Sequence, residues 1–141
     1  MDIKFWISGV VSFILMMAAG FVIHGMLLHD DYLQTKLFRS PEGSETYFPY
    51  MLLAHILMGF AFAWIYRQGI SPGESWVSQG IRFGAAISLL MTIPMYLIYY
   101  AVQPMPGMLV AKQIIFDVIA VLITALVVAF INKSPGTSES V

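Results

Sequence analysis

Four long apolar runs, separated by short polar segments, dominate the hydrophobic pattern of this chain. The runs cover residues 5–28, 48–66, 81–100 and 109–131. A helix needs about 20 predominantly apolar residues to cross the hydrocarbon core of a bilayer, and each run meets that length. The pattern therefore predicts an all-α membrane protein with four transmembrane helices in an up-and-down bundle, so that both termini lie on one side. We assign residues 1–132 to this single domain.

The segments between and within the runs contain residues that commonly begin, bend or end helices. Segment 71–74 has the form of a capping box, which predicts that the third helix begins near Pro72. Pro94 lies inside the third run, where it predicts a kink. The connection 29–47 can form a short interfacial helix, and residues 133–141 make a polar tail that we expect to be disordered.

Composition supports a membrane protein and excludes several classes of function. Hydrophobic residues make up 59% of the chain and charged residues 11%, against about 45–50% and about 25% in soluble domains. The net charge of −1 provides no basic surface for nucleic acid. The chain has no cysteine, which excludes thiolate nucleophiles and thiolate metal sites. The expected partners are the lipid bilayer and either another membrane protein or a second copy of the chain.

The basic residues at the ends of the runs favour cytoplasmic termini. Lys4, Arg67, Arg82 and Lys133 lie on the side of the termini, and Lys36, Arg39 and Lys112 lie on the opposite side. The positive-inside rule gives most weight to basic residues that closely flank a span, as Arg67 and Arg82 do. The difference between the two sides is small, but it points to termini in the cytoplasm.

Each run places small and polar residues on one helical face. In chain order these are Gly9, Ser12, Gly20 and His24; His55, Gly59 and Ala63; Gly80, Gly84, Ser88 and Tyr96; and Gln113, Asp117 and Thr124. Small residues let membrane helices approach closely, so the four faces should meet inside the bundle. Counting along the helices puts His24, His55 and Asp117 at similar depth. We therefore predict one pocket that contains these three residues with Tyr96 and Gln113.

This pocket has several interpretations. A hydrogen-bonded network that holds the helices in register explains its residues about as well as a binding site. As a site, His24 and His55 could ligate haem iron, or could bind a metal ion together with Asp117. A histidine–aspartate pair could also handle protons, and Tyr96 or a histidine could hydrogen-bond a quinone. The cofactor therefore stays open among haem, metal ion and quinone, and none is required.

Three segments resemble a group of small bacterial four-helix integral membrane proteins that have no established activity. The segments are FVIHGMLLHDDY, YFPYMLLAHILMGFAFAWIYRQG and IPMYLIYYAVQPMPGMLVAKQIIFD. The resemblance covers residues 5–132. It implies a multi-pass protein of the bacterial inner (cytoplasmic) membrane, and it assigns no catalytic residue.

The polar segments contain no nucleophile elbow, phosphate-binding loop or HExxH helix. We therefore expect a non-catalytic accessory or assembly subunit of a larger bacterial membrane complex, for example an energy-converting one. The alternative is a cofactor-binding or proton-handling membrane protein that uses the pocket of His24, His55 and Asp117. A small metal-dependent membrane enzyme built on the same residues is the third hypothesis.

Overall fold

The computed structural model describes residues 2–35 and 44–133, and all regular structure within them is helical. Four helices are long: α1 (Ile3–Leu27), α3 (Phe48–Gln68), α4 (Trp76–Val102) and α5 (Gly107–Asn132). The short α2 (His29–Leu33) follows α1, and a 3-10 turn (Ser44–Thr46) precedes α3. Each long helix is long and apolar enough to cross a membrane, which confirms the predicted all-α class and the four candidate spans.

The long helices alternate in direction, with α1 and α5 at the centre of the bundle. Helix α1 packs against α3 on one side and α5 on the other, and α5 packs against α4. Helices α3 and α4 meet through the rings of Phe62 and Phe83, whose centroids lie 4.7 Å apart. Asn132 at the end of α5 donates to Ser8 near the start of α1 at 2.8 Å. We call this end of the bundle the terminal end and the opposite one the outer end.

The closest helix contacts occur at glycines of the predicted small-residue faces. Gly59 of α3 lies so near α1 that an added Cβ would come within 2.6 Å of the Phe13 backbone nitrogen and 2.9 Å of the Gly9 carbonyl oxygen. On α4, an added Cβ at Gly84 would lie 3.1 Å from the Cβ of Ala125 in α5. The prediction that these faces meet inside the bundle is confirmed at both contacts.

Paired charges connect the helices at the terminal end. Asp2 accepts a hydrogen bond from the Phe5 N–H at 3.1 Å, which caps α1, and it pairs with both guanidinium nitrogens of Arg67 at 2.5 and 2.8 Å. The Arg67 guanidinium, helped by the Phe5 N–H, holds the pKa of Asp2 well below its usual range. Arg82 pairs with Glu74 at 2.7 Å. Since all four charged side chains reach water, these pairs fix local geometry more than they add stability.

Helix α4 begins at Trp76, so the prediction of a start near Pro72 is wrong. Residues 71–74 form a tight turn instead, with Gly73 at φ +87°, a backbone conformation that favours glycine. Ser75 then caps the helix by accepting a hydrogen bond from a first-turn backbone N–H at 3.2 Å. The cap of this helix is therefore Ser75, and not the predicted box at residues 71–74.

Two stretches with π-helical hydrogen bonding interrupt the long helices. One is Phe21–Leu27 at the end of α1, and the other is Ser88–Thr92 within α4. The second stretch comes directly before Pro94, which has no N–H and whose ring would clash with a carbonyl of the preceding turn of a regular helix. A wider π turn relieves that clash. The kink predicted at Pro94 stays a prediction.

The predicted interfacial helix is present in part, as α2. Residues 36–43 of that connection, and residues 134–141 of the predicted polar tail, lie outside the described residues.

Replacing Gly59 with alanine should separate α1 from α3, because the new methyl group meets backbone atoms that cannot move aside. We expect Gly59→Ala to destabilise the protein by about 1–3 kcal/mol, the usual cost of overpacking. Gly25→Ala is the matched control, since its added Cβ would lie 3.4 Å from the nearest atom, on the Phe21 ring. Thermal unfolding midpoints in one detergent compare the two variants, and equal midpoints would contradict the close approach.

Candidate functional site

Hydrogen bonds and one close histidine–carboxylate pair join side chains of α1, α2, α4 and α5 at the outer end. The Tyr96 hydroxyl donates to Oδ2 of Asp117, and the same oxygen lies 3.4 Å from Nε2 of His24. On the other side of the imidazole, Nδ1 lies 2.6 Å from the Tyr32 hydroxyl. Nε2 of Gln113 in turn donates to the Tyr32 hydroxyl at 2.9 Å. We call these five residues the outer-end cluster.

Regular helix geometry places two members of this cluster, and π-helical stretches affect two others. Gln113 and Asp117 are four residues apart on α5, so both project from one face of that helix. Tyr96 follows the π-helical stretch of α4, and His24 lies within the π-helical stretch of α1. A π turn changes the direction in which side chains project, and such turns are frequent at functional sites.

Helix α2 contributes Tyr32 by folding back over the outer end of the bundle. Leu28 and Tyr32 are only 1% and 7% exposed, and both pack in a cluster that includes Ile23. An ion pair between Lys112 and Asp31, at 2.7 Å, holds α2 against α5. The phenol of Tyr32 is therefore fixed inside the bundle, although the chain around it lies outside the spans.

In the outer-end cluster, the donor or acceptor role of each side chain determines the role of the next one. Oδ2 of Asp117 accepts, so the ring proton of His24 belongs on Nε2, and Nδ1 is left as an acceptor. Tyr32 then donates its hydroxyl proton to Nδ1 and accepts from the amide nitrogen of Gln113. Burial is the main cause that raises the pKa of Tyr32, so this phenol keeps its proton at neutral pH.

In this arrangement one buried hydrogen-bond acceptor has no donor. Oε1 of Gln113 is buried and has no hydrogen-bond partner, and the whole residue is only 4% exposed. An unpaired buried acceptor costs about 1–3 kcal/mol.

A cavity of about 290 Å³ lies beside the cluster. It is lined by His24, Tyr32, Tyr96, Tyr99, Gln103, Met105 and Gln113. Among residues 2–35 and 44–133, the side chains that line it are aromatic or polar apart from Met105, and include no aspartate, glutamate, lysine or arginine. The volume is at the small end of the range of ligand pockets, about 300–1,000 Å³, and suits a ligand with a single ring.

The structure brings His24, Tyr96, Gln113 and Asp117 together and places His55 elsewhere. Nδ1 of His55 donates to the Met51 carbonyl of its own helix at 2.8 Å. Its Nε2 faces α1, 3.6 Å from where a Cβ of Gly20 would lie. His55 does not line the cavity described above. Of the five predicted pocket residues, His24, Tyr96 and Gln113 line the cavity. Asp117 contacts Tyr96 and His24 without lining the cavity, and His55 packs in the neighbouring contact between α1 and α3.

The geometry gives no support to a metal ion or haem held by His24. Both ring nitrogens of this histidine already face partners: Nε2 faces Asp117, and the lone pair of Nδ1 is engaged by the Tyr32 hydroxyl. Among residues 2–35 and 44–133, no three histidine, aspartate or glutamate side chains gather closely enough to hold a metal ion. The triad of His24, His55 and Asp117 is thus not assembled.

Sequence reasoning did not include Tyr32, Tyr99, Gln103 or Met105 in the pocket. For Tyr32 a signal was present, because Leu28 and Tyr32 are four residues apart and share one face of a short helix. The last three residues come from the end of α4 and the connection to α5, where no periodic pattern indicates which side chains turn inward.

The fold and the site define a class of protein: a bundle of four apolar helices with a polar cluster and a cavity at one end. Comparison of the chain with protein-family models, with curated proteins and with solved structures found no match. Its function is therefore inferred from the geometry of the outer-end cluster and the cavity.

Proposed function

We propose that this chain is a multi-pass membrane protein that binds a small ligand in the outer-end cavity. The observation that carries this proposal is the cavity of about 290 Å³ beside the outer-end cluster, with Gln113 in its lining. His24, Tyr32 and Tyr96 also line the cavity, so polar atoms from three helices surround the same space.

The outer-end cluster also supports proton handling at this site. The imidazole of His24 lies between the carboxyl group of Asp117 and the phenol of Tyr32. Imidazole can accept a proton on one nitrogen and release one from the other. A ligand proton could therefore move through Tyr32 and His24 toward Asp117 without any large movement of the backbone.

The outer surface of the bundle supports placement in a membrane. Large apolar side chains such as Phe21, Leu90 and Val102 are about 70% exposed, and such a surface suits lipid better than water. The basic residues favour termini in the cytoplasm, and the resemblance to small bacterial membrane proteins favours the bacterial inner membrane.

A second candidate function is that of an accessory or assembly subunit of a larger membrane complex. One observation favours it: none of the ten residues Ile93–Val102, in the outer half of α4, is buried. This half-helix therefore offers apolar surface to a partner protein as well as to lipid.

The proposed orientation predicts which side of the membrane each loop faces. The natural chain has no cysteine, so each single-cysteine variant carries one thiol. Gln34 and Pro72 are exposed at opposite ends of the bundle. In intact cells, a membrane-impermeant maleimide should label Gln34→Cys and should label Pro72→Cys only after lysis. The reverse pattern would place the termini outside, and labelling of both thiols in intact cells would contradict membrane insertion.

A bound ligand should appear in native mass spectra of protein purified in mild detergent. We expect an added mass typical of a small molecule on the wild type, and its loss in His24→Phe, which removes polar atoms from the cavity wall. His55→Phe is the matched control and should keep the added mass, since His55 does not line the cavity.

Two results would contradict the ligand proposal. One is a wild-type protein without any added mass, and the other is an added mass that persists in His24→Phe. A protein partner that co-purifies with both histidine variants, in the absence of an added small mass, would favour the accessory subunit.

A further inference from the structure

Helix α2 lies across the outer end of the bundle and forms part of the wall of the cavity. Its residue Tyr32 lines the cavity, together with residues of α1, α4 and α5. Leu28, Asp31 and Tyr32 are spaced as one helical face, and this face contacts the bundle, since Leu28 and Tyr32 are buried and Asp31 pairs with Lys112 of α5. A movement of α2 away from α5 would therefore remove one part of the cavity wall.

This short helix has little stability of its own. It contains only five residues, His29–Leu33, whereas isolated helices shorter than about 12–15 residues are marginal in water. A break separates it from α1, because the backbone of Leu28 departs from helical values, with φ −105° and ψ 6°. The position of α2 therefore depends on its contacts with the bundle. A segment of this kind opens locally at a smaller free energy than the whole protein.

Inside the bundle, an apolar cluster anchors α2. Leu28 and Tyr32 pack there with Ile23 of α1 and Leu109 of α5, and each of the four is at most 7% exposed. Leu109 belongs to a helix that is distant from α2 in the chain, so its contact with α2 exists only while α2 lies against α5. If α2 moved away, the side chain at position 109 would meet water.

At the surface, one ion pair joins α2 to α5. Lys112 donates to Asp31 at 2.7 Å, and the two side chains are 40% and 29% exposed. Water can solvate both charges as soon as they separate, so breaking this pair leaves no unpaired charge buried. The pair can therefore open and close at a small cost in free energy.

We propose that α2 is a lid on the outer-end cavity, that the ion pair of Asp31 and Lys112 is its catch, and that a ligand enters or leaves when α2 lifts from α5. The break at Leu28 serves as the hinge, since it separates α2 from α1. The entry of a ligand rests on the proposed binding function, but the lifting of α2 does not.

The protection of a buried thiol measures how often α2 lifts. The chain has no cysteine, so Leu109→Cys places a single thiol beneath α2, and Val128→Cys places one in the buried core of the terminal half. In lipid nanodiscs, an uncharged, water-soluble maleimide should label Leu109→Cys about tenfold faster or more, because lifting α2 exposes position 109 whereas position 128 requires the bundle to open. Equal labelling rates would overturn the lid. Ile23→Cys, in the same apolar cluster, is the second reporter if Leu109→Cys fails to fold.

Substitutions in the first turn of α2 test the catch. In the Leu109→Cys protein, Asp31→Asn should raise the labelling rate about two- to fivefold, the factor expected for the loss of one partly exposed ion pair. Asp30→Asn is the matched control, because it removes the same charge from the neighbouring, exposed residue and keeps the pair of Asp31 and Lys112. It should leave the rate unchanged. The same rate in both variants would overturn the assignment of the catch.

Exchanging the two charges distinguishes the ion pair from a general loosening of the outer end. Asp31→Lys alone should speed labelling, since it places two lysines side by side. Adding Lys112→Asp should bring the rate back near that of the original pair. Raising the salt concentration should speed labelling when the pair is intact and have less effect in Asp31→Asn, because salt screens exposed charges. A double exchange that labels as fast as Asp31→Lys alone would contradict the catch.

Labelling needs no ligand, so its result is independent of the binding function. If Leu109→Cys is labelled by local opening while native mass spectra show no added mass, the movement of α2 is correct and the binding function is wrong. If the added mass is present and Leu109→Cys is labelled only as fast as Val128→Cys, the binding function stands and the lid is overturned.

Discussion

The need to partner Asp117 governs the organisation of the outer half of this protein. Asp117 lies in a largely apolar helix that is long enough to span a membrane, where an ionisable side chain costs on the order of 2.5–3.5 kcal/mol on insertion scales. Tyr96 of α4 and His24 of α1 meet that carboxyl group from two sides. These contacts require α1, α4 and α5 to converge at the outer end. They also determine which ring nitrogen of His24 carries the proton, and through Tyr32 they determine which end of the Gln113 amide stays unpaired.

The outer-end cluster connects the helices, but it leaves one of its own buried acceptors without a partner. Hydrogen bonds between membrane helices contribute on average about 0.6 kcal/mol each. One buried acceptor without a partner costs about 1–3 kcal/mol, which offsets several such bonds. The helices already approach closely elsewhere, through glycines such as Gly59 and Gly84. Gln113 connects α5 to α2 through its bond to Tyr32, and its unpaired carbonyl oxygen reduces the net gain from that bond.

Much of the fold could be predicted from the sequence, because long apolar runs and faces of small residues have direct physical meaning. Helical spacing also brought His24, Tyr96, Gln113 and Asp117 together. Helical spacing failed for His55. It gives the depth of a side chain along the helix, but not which neighbouring helix the side chain faces, and His55 faces Gly20 of α1. It failed for Tyr32 because the direction of α2 depends on tertiary contacts, among them the burial of Leu28.

The most direct test of the central hydrogen-bond assignment is the position of the ring proton in each histidine. Nitrogen NMR of protein labelled at histidine, in lipid near neutral pH, distinguishes the two neutral tautomers, and the variants His24→Phe and His55→Phe assign the signals. His24 should carry its proton on Nε2, facing Asp117, with Nδ1 accepting from Tyr32. His55 should show the opposite tautomer, with its proton on Nδ1 facing the Met51 carbonyl, and so serves as an internal reference. A proton on Nδ1 of His24 would reverse the chain of hydrogen bonds and contradict the account.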